Sequence, residues 1–407
     1  MRWTSRFAAA ALPLLLQACA TSPAPAPAPL AVAPDAPITI LISIDGFRPD
    51  YLDRGITPTL SALAAEGVRS AMIPCFPTKT FPNHYSIVTG VCAERHGIVG
   101  NKMVLKGPTE QIFNKGSTES FWWEGADPIW VSAERANIRT GAIAWAGAAA
   151  EVHGVRPARF RAWAKDSLAP SIDTAIEWLD LPVGERPRLI TIYLDTVDDT
   201  AHAFGVDSAE VDHALGQVDS AVGRLRGALA ARHVAANMVI VSDHGMAPIS
   251  RDRIVALDAI VDPSDHELVE TGTYASLFAR PGREAALEAR LLGRHAHMTC
   301  WRKGDIPARF DYGRNPRIPP YFCLADIGWS ITATMPAAGK WFGKGDHGWD
   351  NSLPDMRASF IASGPAFRSG IRLEPFPLVQ VYPLLRHLIG LPDERRDKIP
   401  AGALKRH

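Results

Sequence analysis

The run ITILISI, Ile38 to Ile44, decides the fold: seven uncharged residues, rich in isoleucine, that stop at Asp45. A run this short, with no charged face, predicts a strand buried on both sides. Thr57-Pro58 then opens a helix holding Leu60 and Leu63, which Gly67 ends. The alternation continues. A helix around Ile172 to Leu179 precedes the strand RLITIYL (Arg188–Leu194). From Ser208 a long amphipathic helix carries Val211, Leu215, Val218, Val222, Leu225 and Leu229 at spacings of three and four. NMVIV (Asn237–Val241) and RASFIA (Arg357–Ala362) read as two more strands. Buried strands alternating with helices predict an α/β fold, a mostly parallel central sheet with helices on both faces.

The chemistry-bearing residues follow the strand ends. Asp45 closes the first strand, Asp198 and His202 follow the second, and Asp243 and His244 follow the third. Ligands of open α/β sheets bind outside the carboxyl ends of the strands, so these residues should converge, and His347 is the sixth candidate. Carboxylates gathered in one crevice repel one another unless protons or cations compensate. Aspartate with neutral histidine and no thiolate favours zinc or a similar transition metal. Asp198 and His202, four apart, share one helix side. Six donors divide into two sets of three, a two-metal site of the kind that clamps in-line displacement at phosphorus. A nucleophile is available in FPTKTFPNHYSIVTG (Phe76–Gly90), where Pro82 favours the first turn of a helix beginning beside Thr80. A hydroxyl there lies near unpaired N–H groups and the positive end of the helix dipole. Thr78 and Ser86 are alternatives, and position favours Thr80.

Composition narrows the class. The chain has 407 residues, 47% hydrophobic and 21% charged, with 43 Lys+Arg against 43 Asp+Glu. That excludes a disordered polar tail and removes any global electrostatic case for nucleic-acid polymers. Residues 1–18 read as a secretory signal, with two arginines ahead of an apolar run too short to span a bilayer. Leu16-Gln17-Ala18-Cys19 resembles a bacterial lipobox, and an Ala/Pro tract over 19–36 reads as a tether. The expected location is therefore the periplasm or outer membrane of a Gram-negative bacterium, with membrane contact only through the anchor. Cys75, Cys92, Cys300 and Cys323 remain, enough for two disulfides in any of three pairings or for buried thiols. Lys79 reads as solvated and Asp346 as a surface charge.

Several segments together carry a family resemblance. IDGFR (Ile44–Arg48) with Tyr51, PTKTFPNHYSIVTG (Pro77–Gly90), HGIVGN (His96–Asn101), PIW (Pro128–Trp130), Asp198 with His202, SDHGM (Ser242–Met246), RIPP (Arg317–Pro320) and HGWDN (His347–Asn351) occur in order. The chain resembles the nucleotide pyrophosphatase/phosphodiesterases of the alkaline phosphatase superfamily. The resemblance implies a phosphodiesterase domain over 37–395, with an inserted subdomain at about 260–340 and a tail over 396–407. It implies two Zn2+ ions, one held by Asp198, His202 and His347 and one by Asp45, Asp243 and His244, with Thr80 as nucleophile. Asn101 would bond a non-bridging phosphoryl oxygen, and Phe81 and Tyr193 would line the substrate pocket. The implied reaction is hydrolysis of nucleotide diester or pyrophosphate bonds to nucleoside monophosphates through a phosphothreonine. A phospholipid- or choline-directed diesterase, a monoesterase or phosphonate hydrolase, and a non-catalytic metal- or nucleotide-binding lipoprotein are the alternatives. Val197 before Asp198 and Ala201 before His202 depart from the family pattern.

Overall fold

The computed structural model describes residues 36–340, 342–392 and 398–405, together with Trp3. Apart from Trp3, the expected signal lies outside these residues, as do Cys19, nearly all of the tether and part of the expected tail. The elements that build the site are β1 (Ile38–Ile44), α1 (Pro58–Glu66), β2 (Val68–Ile73) and α2 (Thr80–Thr89). Then follow β3 (Thr140–Ile143), β4 (Arg159–Arg161), α3 (Leu168–Leu179), β5 (Leu189–Leu194), α4 (Thr196–Phe204), α5 (Ala209–Ala231) and β6 (Ala236–Val241). Three strands close the series: β7 (Ala358–Ser363), β8 (Ile371–Arg372) and β9 (Phe376–Pro377).

These nine strands form one sheet in the order β8-β2-β7-β6-β1-β5-β3-β4, with β9 also on β2. Strand β1 is central because all seven of its residues are buried. Ile40, Ile42 and Ile44 pack with Leu215, Val222 and Leu225 of α5, while Leu41 faces Met72, Tyr85 and Val88 on the other side. Each such side chain contributes about 1.5–3 kcal/mol when fully buried, so an α/β sandwich follows from the run itself. The neighbours of β1 are both parallel and in step with it: Ile44 faces Leu194, and Ser43 faces Val241. That register brings the ends of three strands to one line, where Asp45, the start of α4 and Asp243-His244 all emerge.

RASFIA is a strand, shifted by one residue, but it runs antiparallel to both β6 and β2. A continuous buried run carries no mark of direction, and the long excursion before it is what reverses it. Within that excursion lies a separate five-stranded antiparallel sheet, ordered His266–Glu270, Tyr274–Ala279, Tyr321–Ala325, Met298–Arg302, Gly293–His295. Its return path pairs Gly345 with Pro248 and Asp346 with Ala247, which delivers His347 beside the end of β6. The cysteines form Cys75–Cys92, bracketing α2, and Cys300–Cys323, which joins directly opposed strand residues.

Candidate active site

Four of the six metal-ligand candidates, Asp45, Asp243, His244 and His347, lie just past a strand, and Asp198 and His202 lie on the helix that follows β5. Asp45 follows β1 through a turn that Gly46 makes at φ +65°, and a Cβ there would lie 3.0 Å from Asp198 Oδ1. The turn therefore needs a glycine both for its left-handed backbone and for the space Asp198 takes. Asp198 and His202 stand one helical turn apart on α4, with Asp198 Oδ2 3.3 Å from His202 Nε2. Asp243 Oδ1 accepts the Gly46 N–H at 3.3 Å, tying the ends of β1 and β6. The rings of His244 and His347 stack with centroids 3.5 Å apart. Donor atoms of Asp198, His202 and His347 lie within 4.8 Å of one another, as do those of Asp45, Asp198 and His244 and those of Asp45, His84 and Asp243.

The tautomers follow from the partners. Nδ1 of His202, His244 and His347 lies 2.9, 2.9 and 2.8 Å from the backbone oxygens of Gly345, Gly245 and Thr78. A carbonyl only accepts, so each Nδ1 carries a proton and each Nε2 is the nitrogen turned toward the site. Those Nε2 atoms face carboxylate oxygens: His244 lies 2.9 Å from Asp243 Oδ2 and 3.4 Å from Asp45 Oδ1, and His347 lies 3.7 Å from Asp198 Oδ1. Asp45 Oδ1, Asp198 Oδ1 and Asp243 Oδ2 are buried and accept no hydrogen bond. Lone pair facing lone pair in a dry crevice is repulsive unless a proton or a cation lies between them. The donor set, three carboxylates with three imidazoles that turn Nε2 to the site, fits transition-metal cations.

The protein's own charges cannot balance the cluster evenly. Burial, and then the charges of Asp198 and Asp243, push Asp45 well above the usual carboxylate range. Burial works the same way on Asp243, but His244 and His84 outweigh it and hold that group well below. Asp198 also ends low, because the charge of His202 overcomes its burial. His202 is drawn up to about 9: burial opposes its charge, and Asp198 prevails. His347 is pushed well down by burial and by the neighbouring charges of His244 and Lys79. Taking up a cation here displaces the His202 proton, which makes affinity fall with pH.

Thr80 is the first residue of α2, with Oγ1 3.5 Å from His244 Nε2. The loop before it is held by buried Asn83, whose Oδ1 accepts the Cys75 N–H and whose Nδ2 donates to the oxygens of Cys75, Pro77 and Lys79. Asn101 comes alongside, its Oδ1 accepting the Phe81 N–H at 2.9 Å, which turns its NH2 end away from that bond. Phe81 is half-buried against Phe113 and Trp123. The Tyr193 hydroxyl donates to Asp45 Oδ2 at 2.7 Å, so the polar end of that side chain serves a carboxylate and only its ring is left for a substrate. Asp195 instead accepts from the Trp163 indole at 2.6 Å, and Asp199 belongs to none of the ligand groups.

Two expectations are corrected. Lys79 is buried, not solvated, and its ammonium pairs with Asp346 at 3.3 Å; Asp346 also accepts the His347 N–H and is no free surface charge. Both are drawn in because the 345–348 segment crosses over the α2 loop. His84 was missed altogether. Its Nδ1 lies 2.9 Å from the Thr80 carbonyl and 3.2 Å from Asp243 Oδ2, while Nε2 lies 2.8 Å from Ser43 Oγ. The carbonyl fixes the proton on Nδ1, so His84 supports Asp243 and the α2 start.

A family model, type I phosphodiesterase/nucleotide pyrophosphatase, matches residues 39–350. The chain belongs to that family. A bis(5′-adenosyl)-triphosphatase of Xenopus laevis is 36% identical over 360 residues, 87% of this chain and 78% of the relative. A pyrophosphatase/phosphodiesterase of Schizosaccharomyces pombe, named as uncharacterized, is 37% identical over 393 residues, 90% of this chain and 79% of its own. Among solved structures, murine ectonucleotide pyrophosphatase/phosphodiesterase 5, an inactive threonine-to-alanine variant in complex with AMP, superposes with a TM-score of 0.83. It is 32% identical and covers 88% of this chain and 96% of its own. The fold is thus that of the alkaline phosphatase-like family members, and the activity class is that of hydrolases acting on phosphodiester bonds. No helix among the described residues is long and apolar enough to cross a membrane.

Proposed function

We propose that this protein is an exported two-zinc phosphodiesterase that hydrolyses nucleotide diester or pyrophosphate bonds to nucleoside monophosphates. The reading is carried by one observation: three buried carboxylate oxygens without a hydrogen-bond partner, on Asp45, Asp198 and Asp243, face Nε2 of His244 and His347 beside a threonine at a helix start. Asp198, His202 and His347 would hold one ion, and Asp45, Asp243 and His244 the other. When bound, the ions supply Lewis acidity that lowers the pKa of oxygen nucleophiles and offsets charge on the phosphoryl group.

Thr80 Oγ1, its proton given up to solvent, attacks phosphorus in line. Its bond to phosphorus forms as the bond to the leaving oxygen breaks, and the nucleoside phosphoryl group is left on the threonine. Water attacks that ester next, breaks the bond to Thr80 and releases the nucleoside monophosphate. The Asn101 amide donates to a non-bridging oxygen, and a donor so placed contributes on the order of 10²–10³ in rate. A neutral asparagine suits a diester, which has one oxygen esterified, better than a monoester dianion. Phe81 and the ring of Tyr193 are the candidates to meet the nucleobase.

The relatives' names favour nucleotides over phospholipids: one is a bis(5′-adenosyl)-triphosphatase and another was solved with AMP, in a variant inactivated at a threonine. The two disulfides favour an oxidising compartment. Acylation at Cys19 would supply the attachment, and incorporation of a labelled fatty acid tests it. Rates on p-nitrophenyl thymidine monophosphate, p-nitrophenyl phosphorylcholine and p-nitrophenyl phosphate test the substrate class. The nucleotide diester should be fastest; a rate highest on the monoester would sink the proposal.

A further inference from the structure

A second concentration of charge lies at the opposite edge of the sheet. A cleft of about 430 Å³ opens where β1, β3, β5 and β6 begin, and the described residues lining it include Arg139, Arg186, Arg188, Arg232 and His233 and no acidic side chain. In a chain with equal numbers of acidic and basic residues, four guanidiniums on one concave wall concentrate positive charge, and what matters is which of them have partners. Arg232 is matched, its Nε and Nη2 reaching the two oxygens of Asp180 at 2.6 and 2.8 Å. Two others are not. Arg186 has a buried Nε with no partner and only a long Nη2 bond, 3.4 Å, to the Leu181 oxygen. Arg139 makes no side-chain hydrogen bond or ion pair among the described residues, and its backbone oxygen accepts the Arg188 N–H at 2.8 Å, which seats its residue in the cleft wall.

Burying an unpaired guanidinium N–H costs stability. An anion in the cleft would meet that N–H and the unpartnered Arg139, and the planar fork of arginine matches a tetrahedral oxyanion through paired N–H donors. We propose that this cleft binds a phosphate-type oxyanion, free or as a lipid headgroup, at a site separate from the one that holds Asp45. Strand β1 separates the two edges by about 20 Å, at about 3.3 Å per residue, so one ligand cannot touch both. Ala36 and Ile38 line the cleft, so the chain enters the fold at its rim.

The test uses the intact holoprotein, Arg186→Gln and Arg139→Gln, with inorganic phosphate followed by calorimetry and vesicles of phosphatidylcholine with and without phosphatidylglycerol followed by sedimentation. Unchanged hydrolysis of p-nitrophenyl thymidine monophosphate certifies each variant as folded, and Arg139→Gln removes no hydrogen bond should Arg186→Gln weaken the fold. Phosphate also meets the catalytic centre, so only the binding that differs from wild type is assigned to the cleft. Losing one charge-assisted contact should weaken that binding about tenfold or more. A loss seen with phosphate identifies a free oxyanion, and a loss seen only with anionic vesicles identifies a headgroup. If both variants bind phosphate and both vesicle types as wild type does, the proposal is overturned.

Discussion

At Gly46 a single hydrogen stands where a methyl group would press on Asp198. Gly46→Ala should therefore act twice: about 1 kcal/mol lost to the left-handed backbone, and metal affinity lowered about 10- to 100-fold through displaced Asp198. Competition with a chromogenic chelator measures the second effect, and unchanged affinity would show that Asp198 has room to move. Tyr193→Phe removes the hydrogen bond that lowers Asp45, so the Asp45 pKa, already raised, should rise further. Protons then compete at higher pH, and the pH at which metal is half-released should move upward. Most of the residues that converge here are legible in the sequence because each lies just past a run of apolar residues. His84 could have been read too, since it stands to Thr80 as His202 stands to Asp198, four residues on along a helix. Lys79 and Asp346 could not, because their pairing depends on a crossing of segments 267 residues apart.

Helix α1 shows how one element depends on another. Its N-cap, Thr57, makes no side-chain cap bond, and the buried Asp219 of α5 instead accepts the Leu60 N–H at 2.8 Å and the Thr59 N–H at 3.1 Å. A carboxylate on a helix N-terminus stabilises both the orphan donors and the dipole. Asp219→Ala should cost about 1–3 kcal/mol in urea unfolding with turnover per folded molecule unchanged, whereas a loss under 0.5 kcal/mol would mean water caps the helix as well. Helix α5, by contrast, is capped by its own Ser208, which accepts the Val211 N–H at 3.2 Å, and that start is visible in the sequence. The same contrast holds for strands. Buried runs mark β1, β5 and β6, but nothing in RASFIA marks β7 as antiparallel, and short alternating segments in 266–325 give little warning of a second sheet.

Taken whole, the chain has no net charge, yet charge is partitioned within it: carboxylates gather at one edge of the sheet and guanidiniums at the other. The sheet order and the returning 345–347 segment make that partition, so composition alone could not reveal it. The disulfides act on the same scale. Replacing Cys300 and Cys323 by serine opens a loop with a sequence separation of 23 and should cost about 3 kcal/mol by loop-closure entropy, read as a lower urea midpoint. A midpoint equal to wild type would mean that the sheet alone holds these strands. Reducing Cys75–Cys92 should act more on turnover, because that bond brackets α2 and the loop that carries Thr80. The measurement that bears most directly on the account is metal content and turnover of Thr80→Ala, determined on one preparation by mass spectrometry of bound metal and hydrolysis of p-nitrophenyl thymidine monophosphate. The account predicts two metal ions per chain, as in wild type, with turnover lost and no nucleoside phosphoryl group captured on the α2 peptide. Two bound ions with full turnover would contradict Thr80 as nucleophile, and a wild-type protein that turns over substrate without bound metal would contradict the site itself.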